Sequence, residues 1–174
     1  AVRISFGGQV GYSEDGDRIH RSWVNTHDVL AVPYDVPVPG YGTGTVGTLR
    51  LWAARPAGQT MDFGAFQAGA YKTQHEARAI TTFLYPADDT RDGKLLRLKQ
   101  QFLLSSATLQ DMVRRHLVNH DTLDDMPDRF VVQLNDTHPA LAIPELLRLL
   151  IDIHGYAWVS AWAIVRRVFA YTNH

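Results

Sequence analysis

The sequence has no cysteine, almost no net charge and only three lysines among its 174 residues. Without cysteine, disulfide bonds and thiol catalysis are excluded, which fits a reducing compartment, and we predict a cytoplasmic protein. The 17 Lys and Arg residues nearly balance the 18 Asp and Glu residues, so no broad field attracts nucleic acid or anionic lipid. No apolar run is long enough to cross a bilayer, and no signal-peptide pattern occurs. Neither nucleic acid nor a membrane is therefore a predicted partner.

A hydrophobic share of 45% suits a globular protein with a sizeable core. The two ends lack the polar lead-in that natural chain ends usually have. Ala1 opens directly into an alternating strand pattern, and His174 closely follows an apolar stretch. We therefore expect an internal piece of a longer protein, although a deliberately trimmed domain would have the same composition. Apolar faces left without partners would make such a piece poorly soluble by itself.

The first third of the chain, residues 1–55, is predicted to be β-rich because apolar and polar residues alternate there. A hairpin turn is predicted at 13–17, where Gly and acidic residues separate two alternating runs. Residues 33–41 contain too many prolines for a central strand. The strand pattern resumes at 45–52.

The remainder has helical periodicity with one short apolar run that indicates a buried strand. The predicted elements are helices at 63–84, 94–120, 139–154 and 158–170, a loop at 86–93 and a strand at 129–134. No repeat or low-complexity tract interrupts them. The predicted fold class is α/β, with a β-rich first third followed by helices and a buried strand.

Two segments carry polar side chains at positions that suit ligand binding. Asp88 and Asp89 occupy the loop after a predicted helix, where they could orient a sugar hydroxyl or restrain a gating loop. The simpler interpretation is a turn whose Asp side chains bond the backbone. Residues 135–139 lie between a buried strand and a helix, where α/β sheets gather ligand-binding groups. Capping of that helix by Asp136 or Thr137 is the simpler alternative.

Three other patterns favour structural interpretations. His116 and His120 have the four-residue spacing of metal ligands, but the sequence offers no third ligand and no metalloprotease Glu beside them. An exposed pair is therefore favoured, and no metal site is predicted. Arg114 and Arg115 could bind phosphate, although a solvated helix face is the default. Residues 40–45 contain Gly-x-Gly without the third glycine or a βαβ setting, which favours a loop over a dinucleotide site.

Four stretches of the sequence resemble the glycogen, starch and maltodextrin phosphorylase family. They are residues 37–46 with 48–52, residues 84–86, residues 93–94 with 96–101 and 107–111, and residues 133–146, which read QLNDTHPALAIPEL. Residues 171–174 match the start of a further family motif. The matches run in one order along the whole chain, which an unrelated sugar-binding α/β protein would not produce. The resemblance implies two Rossmann-like lobes of the GT-B type, with residues 1–174 forming part of the N-terminal lobe.

The resemblance also implies an activity for the complete protein. The family transfers a terminal α-1,4-linked glucosyl unit from glycogen or maltodextrin to inorganic phosphate, giving α-glucose 1-phosphate. Pyridoxal phosphate is its cofactor, and the cofactor lysine belongs to the C-terminal lobe, matching none of Lys72, Lys94 or Lys99. This fragment alone is therefore expected to contain no cofactor-binding residue and to be inactive. If the gene encodes only this span, a non-catalytic glucan-binding or dimerising remnant is the alternative.

The resemblance assigns two residues near the sugar. His174 matches the histidine that bonds the 6-hydroxyl of the glucose, and Asp136 matches the acid near that histidine. These two are the predicted catalytic residues, with Asp136 supporting His174. The predicted substrate-binding residues are Asp88, Asp89, Arg97, His138 and His174.

The resemblance assigns regions of the chain as well. Residues 86–93, which carry Asp88 and Asp89, match the mobile gate loop beside the catalytic cleft. Residues 63–84 match the protruding helix through which the family forms homodimers, and residues 94–174 form a helix-strand-helix-helix segment. Some positions depart from common family choices. They are Ala87 and Asp89 in the gate loop, and Thr90 and Arg91, which replace the aromatic pair of animal enzymes.

Overall fold

The computed structural model describes residues 1–16, 18–58 and 70–174, which form two compact units. The first unit comprises Ala1–Ser5 and Asp28–Gln100, and the second comprises Phe6–His27 and Gln101–His174. The strands are β1 (Val2–Phe6), β2 (Gln9–Asp15), β3 (Arg18–Val24), β4 (His27–Pro39), β5 (Val46–Pro56), β6 (Val132–Asn135) and β7 (Phe169–Thr172). The helices are α1 (Ala70–Ala79), α2 (Arg91–His116), α3 (Met126–Arg129), α4 (Ala142–Arg148), continued by a π-helical segment (Leu149–Ile153), and α5 (Trp158–Val168).

The first unit is built on a three-stranded sheet in the order β1-β4-β5. Strands β4 and β5 pair antiparallel from Val29 opposite Pro56 to Pro39 opposite Val46. Helix α1 packs on β5, and small or branched apolar residues are buried in the unit. They are Ile4, Val29, Ala31, Ala54, Ala77 and Ile80. The prediction of a β-rich first third is confirmed.

The proline-rich segment, where the sequence predicted no central strand, forms the second half of β4 and pairs with β5. A hydrogen bond from the Gly40 nitrogen to the Thr45 oxygen closes the β4-β5 hairpin. Because hydrogen-bonded and non-hydrogen-bonded pairs alternate in antiparallel sheets, the even-numbered residues of β4 bond to β5. Pro33, Pro37 and Pro39 have odd numbers and pair with Trp52, Thr48 and Val46. Their nitrogens therefore face away from β5, and this ladder loses no donor.

The helix predicted at 63–84 is only partly testable, because residues 59–69 lie outside the described residues. Its described part is helical over Ala70–Ala79. Beyond Ala79 the nitrogens of Ile80, Thr81 and Thr82 bond to carbonyls only three residues back, which ends the helix in a tight turn. These three residues are β-branched and have weak helix propensity, which explains why the helix ends before residue 84.

Helix α2 begins at Arg91, inside the segment predicted as a loop. Thr90 caps it: its hydroxyl accepts a hydrogen bond from the Gly93 nitrogen at 3.1 Å, and its carbonyl accepts one from Lys94 at 3.0 Å. A threonine at this position satisfies otherwise unpaired donors of the first helical turn. The helix ends at His116, so the prediction that it continues to residue 120 is wrong.

The second unit combines the β2-β3 hairpin with a βα-type arrangement. Strands β2 and β3 form the predicted hairpin, with Asp15 opposite Arg18. Residues 13–15, predicted as part of the turn, belong to β2, and residue 17 lies outside the described residues. Strands β6 and β7 pair in parallel, with Val132 opposite Phe169 and Asn135 opposite Thr172. Helices α4 and α5 lie between them in sequence, which is the connection that parallel strands require. The core of the unit consists of Leu109, Val113, Leu123, Met126, Leu134, Ala142, Leu146, Leu149, Leu150, Ala161, Ile164, Val165 and Val168.

Three predicted boundaries in this unit are wrong. The strand predicted at 129–134 begins at Val132, because residues up to Arg129 form the short helix α3. The helix predicted at 139–154 begins at Ala142. The helix predicted at 158–170 ends at Val168, and the chain then becomes β7. The fold is nevertheless a mixture of sheets and helices, as the α/β prediction states. Within residues 1–16, 18–58 and 70–174, no helix combines the length and apolarity needed to cross a membrane.

Candidate functional site

The carboxyl ends of the two parallel strands form the best candidate site. Ligands of open α/β sheets bind beside such ends, because the loops that leave the strands converge there. The Gln133 side chain donates to the Thr172 hydroxyl at 2.6 Å, and the Asp136 nitrogen donates to the Thr172 carbonyl at 2.8 Å. These bonds tie the 135–138 loop to residues 172–174, so that polar side chains from two distant sequence segments face the same edge.

His174 is oriented by an asparagine. Its Nε2 atom is hydrogen-bonded to Oδ1 of Asn135, across 39 residues of sequence. An amide oxygen only accepts, so the Nε2 atom carries the proton and Nδ1 remains as the acceptor for a ligand hydroxyl. Asn173 beside it accepts from the Tyr171 hydroxyl at 3.2 Å. Sequence reasoning missed Asn135 as a site residue, although it stands inside the quoted motif.

Asp136 occupies an unusual backbone conformation, with φ of 66°. Asp and Asn enter this left-handed region more readily than other residues with side chains, because their short polar groups bond the local backbone. Here Oδ1 accepts from the Thr137 nitrogen at 2.7 Å. The other oxygen, Oδ2, lies 3.4 Å from Nε2 of His138. Helix α4 begins only at Ala142 without a side-chain cap, so the interpretation of Asp136 as a helix cap is wrong.

Residues 86–93, predicted to be a gate loop, and Arg97 on α2 belong to the first unit. The Arg97 guanidinium donates to Oδ2 of Asp88 at 2.6 Å, and Asp89 is exposed beside it. Asp88 therefore pairs with a helix side chain, in contrast to the simpler interpretation of an aspartate bonded to its own turn. Tyr85, just before the loop, has φ of 52°, a conformation that costs energy for a bulky residue.

Gly93 allows the segment around Ala87 to lie against the start of α2. A Cβ atom at this position would come within 1.9 Å of the Ala87 carbonyl oxygen. We expect Gly93→Ala to displace the loop and to lower the free energy of unfolding by about 1–3 kcal/mol, the usual cost of overpacking. Urea unfolding and the rate of proteolytic cleavage within 86–93 measure the two effects. Gly44→Ala is the matched control, because a Cβ there meets no atom within 4 Å; equal behaviour of both variants would contradict this steric role.

The structure therefore groups the predicted residues into two sets. Asp136, His138 and His174 lie at the carboxyl ends of β6 and β7 in the second unit, and Asp88, Asp89 and Arg97 lie in the first.

Within the second unit, an apolar cavity of about 210 Å³ also lies beside β6 and is lined in part by Leu104, Leu109 and Met112. Its lining is mostly apolar and offers few of the hydrogen-bond partners that the hydroxyls of a buried sugar need.

The arginine pair near the end of α2 and the histidine pair at and beyond its end differ in exposure. Arg114 and Arg115 both pair with Asp111, at 2.7 and 3.1 Å, and remain largely exposed, as predicted for a solvated helix face. His116, in contrast, is only 2% exposed. The prediction of an exposed histidine pair is therefore wrong for His116, because the helix turns this residue toward the core of the second unit.

A model of the carbohydrate phosphorylase family matches residues 1–174. The chain belongs to that family. One relative is the chloroplastic/amyloplastic α-1,4 glucan phosphorylase L-2 isozyme of Solanum tuberosum. It is 46% identical to this chain over 98% of the chain and 18% of the relative. The glycogen phosphorylase of Saccharomyces cerevisiae is 45% identical over 99% of this chain and 20% of the relative. The liver form of glycogen phosphorylase from Ovis aries is 44% identical over 98% of this chain and 21% of the relative.

The phosphorylase resemblance inferred from four sequence stretches is thus confirmed at the level of the family. The chain spans about one fifth of the length of these relatives. The motif QLNDTHP, residues 133–139, covers the end of β6 and the turn after it. In this phosphorylase segment, three of the residues that the resemblance singles out, Asp136, His138 and His174, therefore lie at the polar edge of the parallel strands.

Proposed function

We propose that the chain is part of the N-terminal, Rossmann-like lobe of a GT-B α-1,4-glucan phosphorylase. The complete enzyme would transfer terminal glucose from glycogen or maltodextrin to inorganic phosphate, with pyridoxal phosphate as cofactor. The observation that carries the proposal is the match along the whole chain to relatives named α-glucan and glycogen phosphorylases. The parallel β6-β7 pair and its polar carboxyl edge support it, because GT-B lobes are built from such βα units.

We assign the polar edge of the second unit to the glucose. His174, held through Nε2 by Asn135, would accept a hydrogen bond from a sugar hydroxyl at Nδ1. Its fixed ring gives that bond a defined direction, so binding energy is used to position the glucosyl unit. Asp136, whose Oδ2 atom lies 3.4 Å from Nε2 of His138, would orient that ring, and His138 would line the neighbouring part of the pocket. Asp88 and Arg97, bonded to each other, would hold the gate loop in one arrangement.

No residue of the chain is assigned to the cofactor. A lysine that forms a Schiff base is normally desolvated, which lowers its pKa and frees its nitrogen to react. Lys72 and Lys94 are exposed on helices, and the apolar cavity beside β6 is lined by no lysine. These residues do not fit a pyridoxal phosphate site, and we propose that the rest of the enzyme supplies it.

Two proposals concern assembly and location. Residues 63–84 would contribute the helix through which the complete enzyme forms a homodimer. The described part of this segment ends in exposed Phe83 and Leu84, 66% and 87% accessible, and apolar side chains of this size commonly mark contact surfaces. We also propose a cytoplasmic enzyme; one relative from Arabidopsis thaliana is named as cytosolic, while others are chloroplastic or amyloplastic.

The deciding experiment measures glucose 1-phosphate release from maltoheptaose by the full-length parent protein. We expect release only when both inorganic phosphate and pyridoxal phosphate are present, and hydrolysis to free glucose should be absent. Omission of phosphate and removal of the cofactor are the two controls. A well-folded parent that binds maltoheptaose without any release would overturn the enzymatic proposal and favour a glucan-binding remnant.

A further inference from the structure

A group of metal-ligating side chains lies at the end of α2 in the second unit. The His116 and His120 rings stack with centroids 4.2 Å apart and an angle of 14° between their planes. Asp125, from the turn that follows, reaches both rings. Its Oδ1 atom is 3.0 Å from Nε2 of His116, and its Oδ2 atom is 2.9 Å from Nδ1 of His120. One ligand atom from each residue lies within 4.8 Å of the other two.

We propose that His116, His120 and Asp125 form a binding site for a divalent cation of the zinc type. Two imidazole nitrogens and one carboxylate oxygen are a donor set that zinc uses when it leaves a fourth position open for water. Tetrahedral coordination at about 2.0–2.1 Å places ligand atoms roughly 3.3 Å apart. The separations of 2.9 and 3.0 Å join different oxygens of Asp125 to the two rings. To admit an ion, one oxygen must therefore turn between the rings, and the stacked rings must tilt until both nitrogens point at it.

The residues around the site hold one ligand in place and leave the other two accessible to an ion. His116 is buried and lies against the Phe130 ring at a centroid distance of 5.9 Å, which limits its movement. The side chains of His120 and Asp125 are 28% and 40% exposed, so an ion can enter from solvent. The Asp125 carboxylate faces both rings and supplies the oxygen ligand.

Two neighbouring residues, Thr122 and Arg129, affect the affinity of the site for a divalent cation. The Thr122 carbonyl oxygen lies 3.1 Å from Nε2 of His116 and can only accept, so Nε2 carries a proton in this arrangement. An ion bound to Nε2 would replace this hydrogen bond, and the proton would move to Nδ1. Arg129 approaches Asp125 at 4.0 Å and opposes a cation, but its side chain is 62% exposed, and solvent screens such charges. The site does not depend on phosphorolysis, because it shares no residue with the polar edge of β6 and β7.

The test titrates metal-free full-length protein with Zn²⁺ in competition with a chromogenic chelator. We expect one ion whose affinity falls at least about tenfold in His120→Asn and in Asp125→Asn, since each removes a ligand. His154→Asn is the matched control, because His154 is exposed and lies outside the cluster. Zn²⁺ should also raise the Tm of the unsubstituted protein and of the control, but not of the two ligand variants.

Two results would overturn the proposal. One is the absence of Zn²⁺ binding at micromolar concentration, which would leave a carboxylate that merely bridges two imidazoles. The other is equal Zn²⁺ affinity in all variants, which would place the ion elsewhere. Because His120 and Asp125 are partly exposed, their substitution should preserve folding, and far-ultraviolet circular dichroism checks this. Co²⁺ gives a second measurement, since its visible absorption bands report coordination by nitrogen and oxygen and should weaken in both ligand variants.

Discussion

Replacing Glu145 with leucine should lower the free energy of unfolding by about 3 kcal/mol, the low end of the range for breaking a buried ion pair. Glu145 is 3% exposed and accepts hydrogen bonds from Arg148 at 2.7 and 2.8 Å. The Ser106 hydroxyl donates to it at 2.6 Å. Its hydrogen bonds raise the pKa of Arg148, so the substitution leaves a guanidinium charge without its partner. Water recovers part of that cost, because 26% of the Arg148 side chain is exposed.

Equilibrium unfolding in urea measures this loss, and Asp128→Leu is the matched control. Asp128 also pairs with an arginine, Arg167, at 2.6 Å, but the two side chains are 60% and 54% exposed. Exposed ion pairs contribute only about 0–1 kcal/mol, so the control should unfold near the midpoint of the unsubstituted protein. Similar losses in the two variants would show that burial does not set the strength of the Glu145 network.

Most strands and helices can be predicted from the sequence where the hydrophobic pattern repeats over many residues and the packing is local. The alternation in residues 1–55 and the 3.6-residue period of α2 are examples. Strand β7 could not be predicted this way, because Phe169–Thr172 follows a helix without a turn residue and becomes a strand only by pairing with β6. The prolines of β4 are a second case: whether a proline fits a strand depends on which edge its nitrogen faces.

In the candidate site, too, the sequence predicts where the polar residues lie along the chain but not which residues they contact. The motif at 133–139 locates the polar turn, but the partner of each side chain depends on contacts across the fold. Resemblance predicts that Asp136 supports His174, whereas the structure places Asn135 against His174 and Asp136 beside His138. Likewise, the spacing of His116 and His120 is visible in the sequence, while the carboxylate of Asp125 joins them only because the chain turns back after α2.

The largest expected effect on activity belongs to His174. In the full-length enzyme, we expect His174→Ala to lower kcat/KM for maltoheptaose by about 10²-fold, the size of loss that follows when a positioning contact is misplaced by about 1 Å. Asn135→Ala should lower it by about fivefold, since a single neutral hydrogen bond contributes about 1 kcal/mol. Steady-state phosphorolysis kinetics measure both, and the double variant should be no worse than His174→Ala alone, because Asn135 acts through the histidine.

Asp136→Asn distinguishes two arrangements. In the structure Asn135 contacts His174 and Asp136 lies beside His138, whereas the resemblance implies that Asp136 supports His174. Asn tolerates the left-handed backbone of residue 136 as well as Asp does, so the variant removes the charge without adding strain. We expect its effect on kcat/KM to be smaller than that of Asn135→Ala and to be independent of His174. If instead Asp136→Asn lowers activity more than Asn135→Ala, and its effect disappears in the His174→Ala background, then Asp136 supports the histidine during turnover. In that case the Asn135 contact is not the arrangement in which the enzyme acts.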